Sequence, residues 1–149
     1  MMLQVLILVF FGGNAIVGPY SGTNPDIVIP DIISGNIIKF IYQDAFRFGT
    51  GYSEVQLTSV SFTSGSQLER IHARAFQNNN LTQIVLPDTL VRIDLRAFIN
   101  NPNLTSVTIG PHVTTIENDA FLGGNTFREA YFTHGAGTYH YNGVAWIKQ

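Results

Sequence analysis

Histidines and carboxylates are the first residues of this chain that could do chemistry. The imidazole of His72 could act as a general base if the fold brings it beside the carboxylate of Asp94, 22 residues further on. His134 and His140 could share a metal ion with a carboxylate. The chain has no cysteine and no HExxH sequence, so the usual partners of a zinc site are missing. We therefore predict structural roles for these histidines and no bound metal or cofactor.

The sequence motifs of nucleophilic and phosphate chemistry are also missing. No serine lies in a GxSxG turn, and without cysteine there is no thiolate nucleophile. The segments 123–125 (GGN) and 135–137 (GAG) lack the lysine and the strand-to-helix setting of a phosphate-binding loop. The sequence therefore predicts a protein that is not an enzyme.

Aromatic residues near the end of the chain suggest a different chemistry. The dipeptide Asn142-Gly143 is typical of a tight β-hairpin turn. The aromatic residues on either side of it are Tyr139, Tyr141 and Trp146. Their rings could stack on a sugar, or they could cover the apolar edge that the last unit of a repeat stack exposes. We favour the covering role and keep a glycan-binding module as an alternative.

The composition is low in charge for a protein of 149 residues. Charged residues make up 12% of the chain, against about 25% in soluble proteins, while 45% of residues are hydrophobic and the net charge is −2. Such a chain has no electrostatic footprint for nucleic acid or for anionic lipid. Its length allows one domain or a short array of repeats.

An apolar run opens the chain at residues 1–11 (MMLQVLILVFF). It is about half as long as the roughly 20 residues that a transmembrane helix needs, so we predict no membrane span. No lysine or arginine precedes it, and no clear cleavage site follows it. Three interpretations stay open: a remnant of a signal peptide, a buried cap strand, or the start of a fragment of a longer chain.

Self-comparison shows an internal repeat of 22–24 residues. The segment LTQIVLPDTLVRIDLRAF, which begins at Leu81, matches the segment LTSVTIGPHVTTIENDAF, which begins at Leu104. The matching positions are Leu81/Leu104, Ile84/Val107, Leu86/Ile109, Leu90/Val113, Ile93/Ile116, Ala97/Ala120 and Phe98/Phe121. Earlier copies begin near Ile27 and at Leu57, and a half copy follows at Phe127. The chain thus contains four copies and a partial fifth.

The pattern within one copy predicts its local structure. Ile84 and Leu86 alternate with outward residues, as in a short half-buried strand. Ile93 then points inward, and Ala97 and Phe98 follow four and five residues later, a spacing that predicts a single helical turn. A lone copy buries too little apolar surface to offset the entropy of ordering its backbone, so the copies must stack.

The predicted fold is therefore a mostly β repeat solenoid with copies of about 23 residues, short strands, single helical turns and terminal caps. Its core contains one column of inward isoleucines, at Ile41, Ile71, Ile93 and Ile116. We predict three parts: an N-terminal cap or signal-like lead-in over residues 1–22, the repeats over 23–133, and a C-terminal β-hairpin cap over 134–149.

The pattern LxxVxIPxxVxxIxxxAF resembles the BspA-like, or treponemal-type, leucine-rich repeats of bacterial surface proteins and of some parasitic protists. The resemblance covers roughly residues 16–133 and depends most on four pairs in register, Ala45-Phe46, Ala75-Phe76, Ala97-Phe98 and Ala120-Phe121. It implies a curved solenoid that binds other proteins, with adhesion to host extracellular matrix described for some members.

The sequence departs from the family at two positions of the repeat. The glycine that often follows the inward isoleucine is replaced here by Tyr42, His72, Asp94 and Glu117. A cysteine that is common three residues after the phenylalanine is replaced here by Gly49, Asn79, Asn101 and Gly124. Because glycine and asparagine tolerate a left-handed backbone, we predict that these residues make a turn.

Alignment of the copies groups charged residues into two columns. The column before the alanines contains Asp44, Arg74, Arg96 and Asp119, so opposite charges are predicted to meet at both of its ends. The column after the inward isoleucines contains Tyr42, His72, Asp94 and Glu117. We interpret both as exposed ladders of ion pairs, worth about 0–1 kcal/mol per pair.

The candidate binding site is a predicted strip of side chains on the outward face of the strands. It consists of Ser59, Ser61, Gln83, Val85, Ser106, Thr108, Glu129 and Tyr131. Extended faces of solenoids suit binding, and Glu129 and Tyr131 are the expected anchors, since aromatic residues dominate interface energetics. We predict an extracellular or cell-surface module that binds a protein ligand, with extracellular-matrix proteins as the first candidates. A merely solvated face, and a terminal capping piece of a longer surface protein, stay open.

Overall fold

The computed structural model describes residues 13–149, which form short strands and, within that range, one α-helix. The apolar run at residues 1–11 lies outside the described residues. In chain order the strands are β1 (Ala15–Ile16), β2 (Asp26–Ile29), β3 (Ile32–Ile33), β4 (Asn36–Ile37), β5 (Phe40–Ile41), β6 (Ser59–Phe62), β7 (Arg70–Ile71), β8 (Gln83–Val85), β9 (Arg92–Ile93), β10 (Ser106–Ile109), β11 (Thr115–Ile116), β12 (Gly137–Tyr141) and β13 (Trp146–Lys148). Helix α1 (Thr126–His134) lies between β11 and β12.

One side of the repeat core is a five-stranded parallel sheet in the order β1-β5-β7-β9-β11. Its register places one inward isoleucine of each repeat beside the next. These isoleucines are 0–3% exposed and are Ile16, Ile41, Ile71, Ile93 and Ile116. The predicted column is confirmed, and Ile16 extends it into the segment that was predicted as a lead-in.

The other side of the core is made by the longer strands of the repeats. β2 pairs with β6 and β8 pairs with β10, in both cases in parallel. Burial alternates along these strands: Ile84 and Val107 are buried, whereas Gln83 and Val85 are exposed. This alternation confirms the half-buried strands expected from the sequence.

The phenylalanines of the four copies form a continuous stack in the core. The ring centroids of Phe46 and Phe76 are 5.2 Å apart, those of Phe76 and Phe98 are 5.1 Å apart, and those of Phe98 and Phe121 are 5.0 Å apart. The planes of each pair lie within 5° of parallel. The alanine before each phenylalanine is also buried. Its small side chain leaves room for the neighbouring backbone.

The expectation of a single helical turn before each phenylalanine is wrong. In the third copy the N–H of Ala97 donates to the carbonyl of Asp94 (3.2 Å), and the N–H of Ile99 donates to the carbonyl of Arg96 (3.3 Å). Arg96 itself is left-handed, with φ of 57°. The intervening N–H of Phe98 donates to the next copy, at Ala120 (2.8 Å). No helical turn forms here, because Arg96 is left-handed and the N–H of Phe98 bonds to the next repeat.

The turn predicted at Asn79 and Asn101 is also wrong. The residues with positive φ are their neighbours, Asn78 at 66° and Asn100 at 56°. Asn79 and Asn101 are fully buried and use their amides to bond the backbone. The amide nitrogen of Asn101 donates to the carbonyls of Phe76 (3.0 Å) and Phe98 (2.9 Å). Side-chain hydrogen bonding to the backbone therefore explains why asparagine occupies these two positions better than turn propensity does.

The last described segment departs from the repeat. The half copy predicted at Phe127 is helix α1, whose Phe127 packs on Phe121 with ring centroids 4.3 Å apart. β12 then pairs antiparallel with β10, and β13 pairs antiparallel with β12 around Asn142-Gly143. The strand beside β10 thus runs opposite to the repeat strands.

The first described residues add part of a repeat before the first copy. β1 contributes Ile16 to the isoleucine column, and the N–H of Tyr20 donates to the carbonyl of Ala45 (3.0 Å), as phenylalanine N–H groups do in later copies. The ring of Tyr20 lies 5.8 Å from that of Phe46. Tyr20 therefore occupies the place of a phenylalanine at this end of the stack.

Candidate functional site

The longer strands of the repeats and the C-terminal hairpin present a mostly uncharged surface, which we call the outward face; it is made by the sheet β2-β6 and the neighbouring sheet β8-β10-β12-β13. Six of the predicted strip residues lie on it, at Ser59, Ser61, Gln83, Val85, Ser106 and Thr108. The register adds neighbours that were not predicted: Asp26, Val28, Thr138, His140 and Ile147. Asp26 and Val28 could have been found from the alternation around Ile27 and Ile29 in the first copy, whereas Thr138, His140 and Ile147 join the face only through the antiparallel pairing of β12 and β13.

Strand register arranges the outward face in two rows. Val85 pairs with Thr108, which pairs with Thr138 on β12. The hydroxyl oxygens of Thr108 and Thr138 are 2.9 Å apart, so the two side chains hydrogen-bond on the same side of the sheet. In the other row, Gln83 pairs with Ser106, and Ser106 pairs with His140. The outward face is therefore continuous from β8 into the C-terminal hairpin.

The outward face combines hydroxyl groups with exposed aliphatic side chains. Val85 is 63% exposed, and Val28 and Ile147 are each 51% exposed. Between Asp26 at one end and His140 at the other, its side chains carry no formal charge. Exposed aliphatic groups on a flat neutral surface suit a partner that buries apolar area.

The prediction that Glu129 and Tyr131 lie on the outward strand face is wrong. Both lie on helix α1, where Glu129 is exposed and Tyr131 is only 4% exposed. The hydroxyl of Tyr131 donates to the carbonyl of Gly110 (2.9 Å), which fixes the helix against the last repeat. Tyr131 is thus part of the core and not an anchor for a ligand.

The charged column before the alanines forms an ion pair at one end. The Nε of Arg74 lies 3.0 Å from a carboxylate oxygen of Asp44, which also accepts from Arg47 at 3.4 Å. Burial raises the pKa of Asp44, but the hydrogen bond and charge of Arg74 outweigh it, so the pKa lies below its usual value. At the other end, no ion pair joins Arg96 to Asp119 within the described residues, so the expected symmetry is absent there.

The second column is organised around Asp94, which is 5% exposed. Arg70 donates to this carboxylate through Nε and Nη2, the latter at 2.7 Å, and the Nε of Arg92 donates to it at 2.7 Å. Arg92 also pairs with Glu117. Burial raises the pKa of Asp94, but hydrogen bonds from the two guanidinium groups prevail and lower it below the usual value. This network joins three repeats.

His72 lies beside this network without forming a catalytic pair. Its Nδ1 is 4.0 Å from Asp94, and Asp94 already accepts from two arginines. Its Nε2 is buried and has no hydrogen-bond partner among residues 13–149. Burial and the charge of Arg70 lower the pKa of His72, and the opposing effect of Asp94 is smaller. This geometry is typical of a structural histidine that packs against a salt bridge.

The C-terminal aromatic rings are turned into the molecule. Tyr139 is fully buried, and Trp146 is 3% exposed, with its indole N–H donating to the carbonyl of Leu122 (2.8 Å). The Trp146 ring also lies edge-on to Phe121 and Phe127, with centroids 5.9 and 5.3 Å away. The rings of Tyr139 and Trp146 therefore cover the end of the phenylalanine stack and do not present faces on which a sugar could stack. Tyr141, the third predicted ring, is half-buried beside Trp146, with ring centroids 5.3 Å apart.

Residues 13–149 contain neither a cluster of metal ligands nor a membrane-spanning helix. No three His, Asp or Glu side chains in that range are grouped so that they could hold a metal ion; His134 ends α1, whereas His140 lies on the outward face. None of the described helical structure has the length and hydropathy needed to cross a bilayer.

Sequence comparison defines the class of protein. The model of the BspA type leucine rich repeat region matches residues 39–142, with six copies. The chain belongs to the BspA-type leucine-rich-repeat family. No curated protein matches the chain significantly in sequence.

A solved structure supports the fold. The crystal structure of the pneumococcal vaccine antigen PcpA is similar to this chain, with a TM-score of 0.50 and 24% sequence identity. The similarity covers 67% of this chain and 25% of PcpA, so the chain spans about a quarter of that protein's length. At this identity the likeness concerns the fold alone.

Proposed function

We propose that this chain is a solenoid module that binds another protein through its outward face and catalyses no reaction. The observation that supports this proposal is the neutral surface that runs across strands of successive repeats into β12, with Val28 and Val85 more than half exposed. Repeat stacks commonly bind partners with such extended surfaces, because each repeat adds a similar set of side chains.

We further propose that the module acts outside the cell or at the cell surface, and that its partner is an extracellular-matrix protein. Membership of the BspA-type family and the description of PcpA as a vaccine antigen support this location. The predicted division into a lead-in at 1–22, repeats at 23–133 and a cap at 134–149 stays in this proposal with two changes. β1 and Tyr20, assigned to the lead-in, pack as part of a repeat, and helix α1, assigned to the repeats, belongs with the cap.

Paired lysine substitutions test the outward face. Val85→Lys places a charge at the centre of the face, whereas Val144→Lys places the same charge on a residue that is 77% exposed in the hairpin turn, away from the face. We expect Val85→Lys to weaken binding to immobilised extracellular-matrix proteins by about tenfold or more, because a buried unpaired charge costs at least about 1.4 kcal/mol. Val144→Lys should bind like the parent protein, as measured by surface plasmon resonance.

Two results would contradict this proposal. Equal affinities of Val85→Lys and the parent protein, with both folded by circular dichroism, would remove the outward face from binding. A hydrolase activity that disappears in His72→Ala would show that the chain is an enzyme.

A further inference from the structure

A shallow, open depression, separate from the outward face, lies where the chain leaves each phenylalanine and approaches the next long strand. We call it the turn groove; it has a volume of about 520 Å³, within the range typical of ligand sites. Its principal lining residues are Phe48, Gln56, Asn78, Asn100, Pro102 and Leu122. Because Phe48, Asn78, Asn100 and Leu122 follow the phenylalanines of four successive copies, the groove runs along the stack. A linear occupant fits this shape.

The polar groups of the turn groove are held in place before any ligand binds. The amide nitrogen of Asn100 donates to the side-chain oxygen of Asn78 (3.0 Å), and the amide nitrogen of Asn78 donates to the carbonyl of Phe48 (3.3 Å). Both asparagines have positive φ, which sets the direction of their side chains. Such ordering lowers the entropic cost of binding.

Asn100 keeps hydrogen-bonding capacity for a ligand. Its amide makes one hydrogen bond through nitrogen within the described residues, which leaves a second N–H donor and the oxygen acceptor. A donor and an acceptor side by side match the carbonyl and N–H that a peptide backbone presents. The amide can therefore pair with an extended chain as another strand would.

The rest of the lining restricts the chemistry of the occupant. Phe48, Pro102 and Leu122 are apolar, and none of the described residues that line the turn groove has an ionisable side chain. A charged ligand would lose hydration without gaining a counter-charge. A saccharide carries hydroxyl groups around its ring, and many of them would face apolar side chains without a partner. An uncharged peptide with apolar side chains brings neither an unpaired charge nor many unpaired hydroxyl groups into the groove.

We propose that the turn groove binds an extended, uncharged peptide segment of a partner protein, with its backbone paired to Asn100 and its apolar side chains against Phe48 and Leu122. The site is separate from the outward face and does not depend on the function proposed for that face.

The test uses the full chain and a phage-displayed library of random dodecapeptides. We expect enrichment of uncharged peptides with apolar residues, and we expect a synthetic copy of one of them to shift the side-chain amide resonances of Asn100 in an NMR titration. Asn100→Gly and Pro102→Lys should each weaken this peptide by about tenfold. Glycine accepts the positive φ of position 100, and Pro102 is exposed, so both variants should fold. Val144→Lys is the matched control for added charge.

Several outcomes would overturn the proposal. They are a failure to enrich any peptide, enrichment of charged peptides, and unchanged affinity in Pro102→Lys. Loss of binding in Val85→Lys but not in Pro102→Lys would assign the peptide to the outward face. Shifts of the Asn100 resonances by cellohexaose, with none caused by the selected peptides, would make the groove a saccharide site.

Discussion

Asn79 and Asn101 join the beginning and the end of a repeat through their side chains. The oxygen of Asn79 accepts from the N–H of Leu57 (2.8 Å), and its nitrogen donates to the carbonyls of Phe46 (2.8 Å) and Phe76 (3.0 Å). The cysteine that is common in the family at this position has only a weak S–H donor and a weak acceptor. Asparagine satisfies buried backbone groups at this position, which explains why a polar residue is fully buried.

Replacement of one of these amides should destabilise the whole stack. Asn101→Ala leaves the N–H of Leu81 and the carbonyls of Phe76 and Phe98 without this partner, at about 1–3 kcal/mol for each group that stays unpaired. We expect the free energy of unfolding in urea to fall by about 3 kcal/mol or more. Asn103→Ala removes an exposed asparagine and should change it by less than about 0.5 kcal/mol. Equal effects of the two substitutions would contradict the connecting role of Asn101.

His72 should make the protein less stable in mild acid. Burial and the neighbouring guanidinium of Arg70, aided by Arg92, lower its pKa in the folded state below the usual 6.5, although Asp94 opposes them. The unfolded chain therefore takes up this proton more readily, and the free energy of unfolding falls as the pH drops below about 6.5, until the folded-state pKa is reached. The loss should be smaller in His72→Gln than in the parent. A parallel pH profile for His72→Gln and the parent, from urea unfolding, would contradict the role of His72.

At the scale of elements, a tight turn with one left-handed residue replaces a helical turn in each repeat. The positive φ falls at the residue before each alanine, at Asp44, Arg74, Arg96 and Asp119. The charged column before the alanines is thus also a column of left-handed residues. None of these is glycine, so the repeats accept a backbone cost of about 1–2 kcal/mol at each such turn.

Substitutions at Arg96 should separate backbone conformation from charge. Arg96→Val places a β-branched side chain at a φ of 57° and should be less stable than Arg96→Gly by about 1–2 kcal/mol in urea unfolding. Leu95→Val introduces the same residue at an exposed neighbour outside the left-handed positions and should cost less than about 1 kcal/mol. Similar stability of Arg96→Val and Arg96→Gly would show that the turn does not demand a left-handed residue.

At the scale of the whole molecule, the C-terminal hairpin both closes the core and enlarges the outward face. Tyr139 and Trp146 cover Phe127 on one side of the hairpin, while Thr138 and His140 continue the two rows on the other. The period-two alternation of strand side chains makes this possible, because neighbouring residues face opposite sides. The cap therefore belongs to the surface proposed to bind a partner.

The low charge of the outward face gives a prediction about ionic strength. Binding through uncharged side chains should change little between low and physiological salt, because among the described residues of the outward face only Asp26, at one end, carries a formal charge to screen. The dissociation constant measured by surface plasmon resonance should stay within about threefold across this range. A steep loss of affinity on adding salt would indicate that the charged columns bind the partner instead.

Recurring core positions were predictable from the sequence. Any stack must bury the same positions of each copy, so the spacing from Ile93 to Ile116 and from Phe98 to Phe121 specified both the columns and their register. The outward positions such as Ser59 and Val85 followed, because side chains alternate along a strand.

What the sequence by itself determined is thus the repeat, its inward columns and most of the outward face. Only the tertiary structure decided the rest. The segment of Tyr131 matches a repeat in its apolar residues but forms a helix, because its secondary structure depends on how it packs against the last copy and the hairpin. The left-handed turn at Arg96 and the buried amide of Asn101 depend on hydrogen bonds between copies, and these partners lie too far apart in the chain to appear in a local pattern.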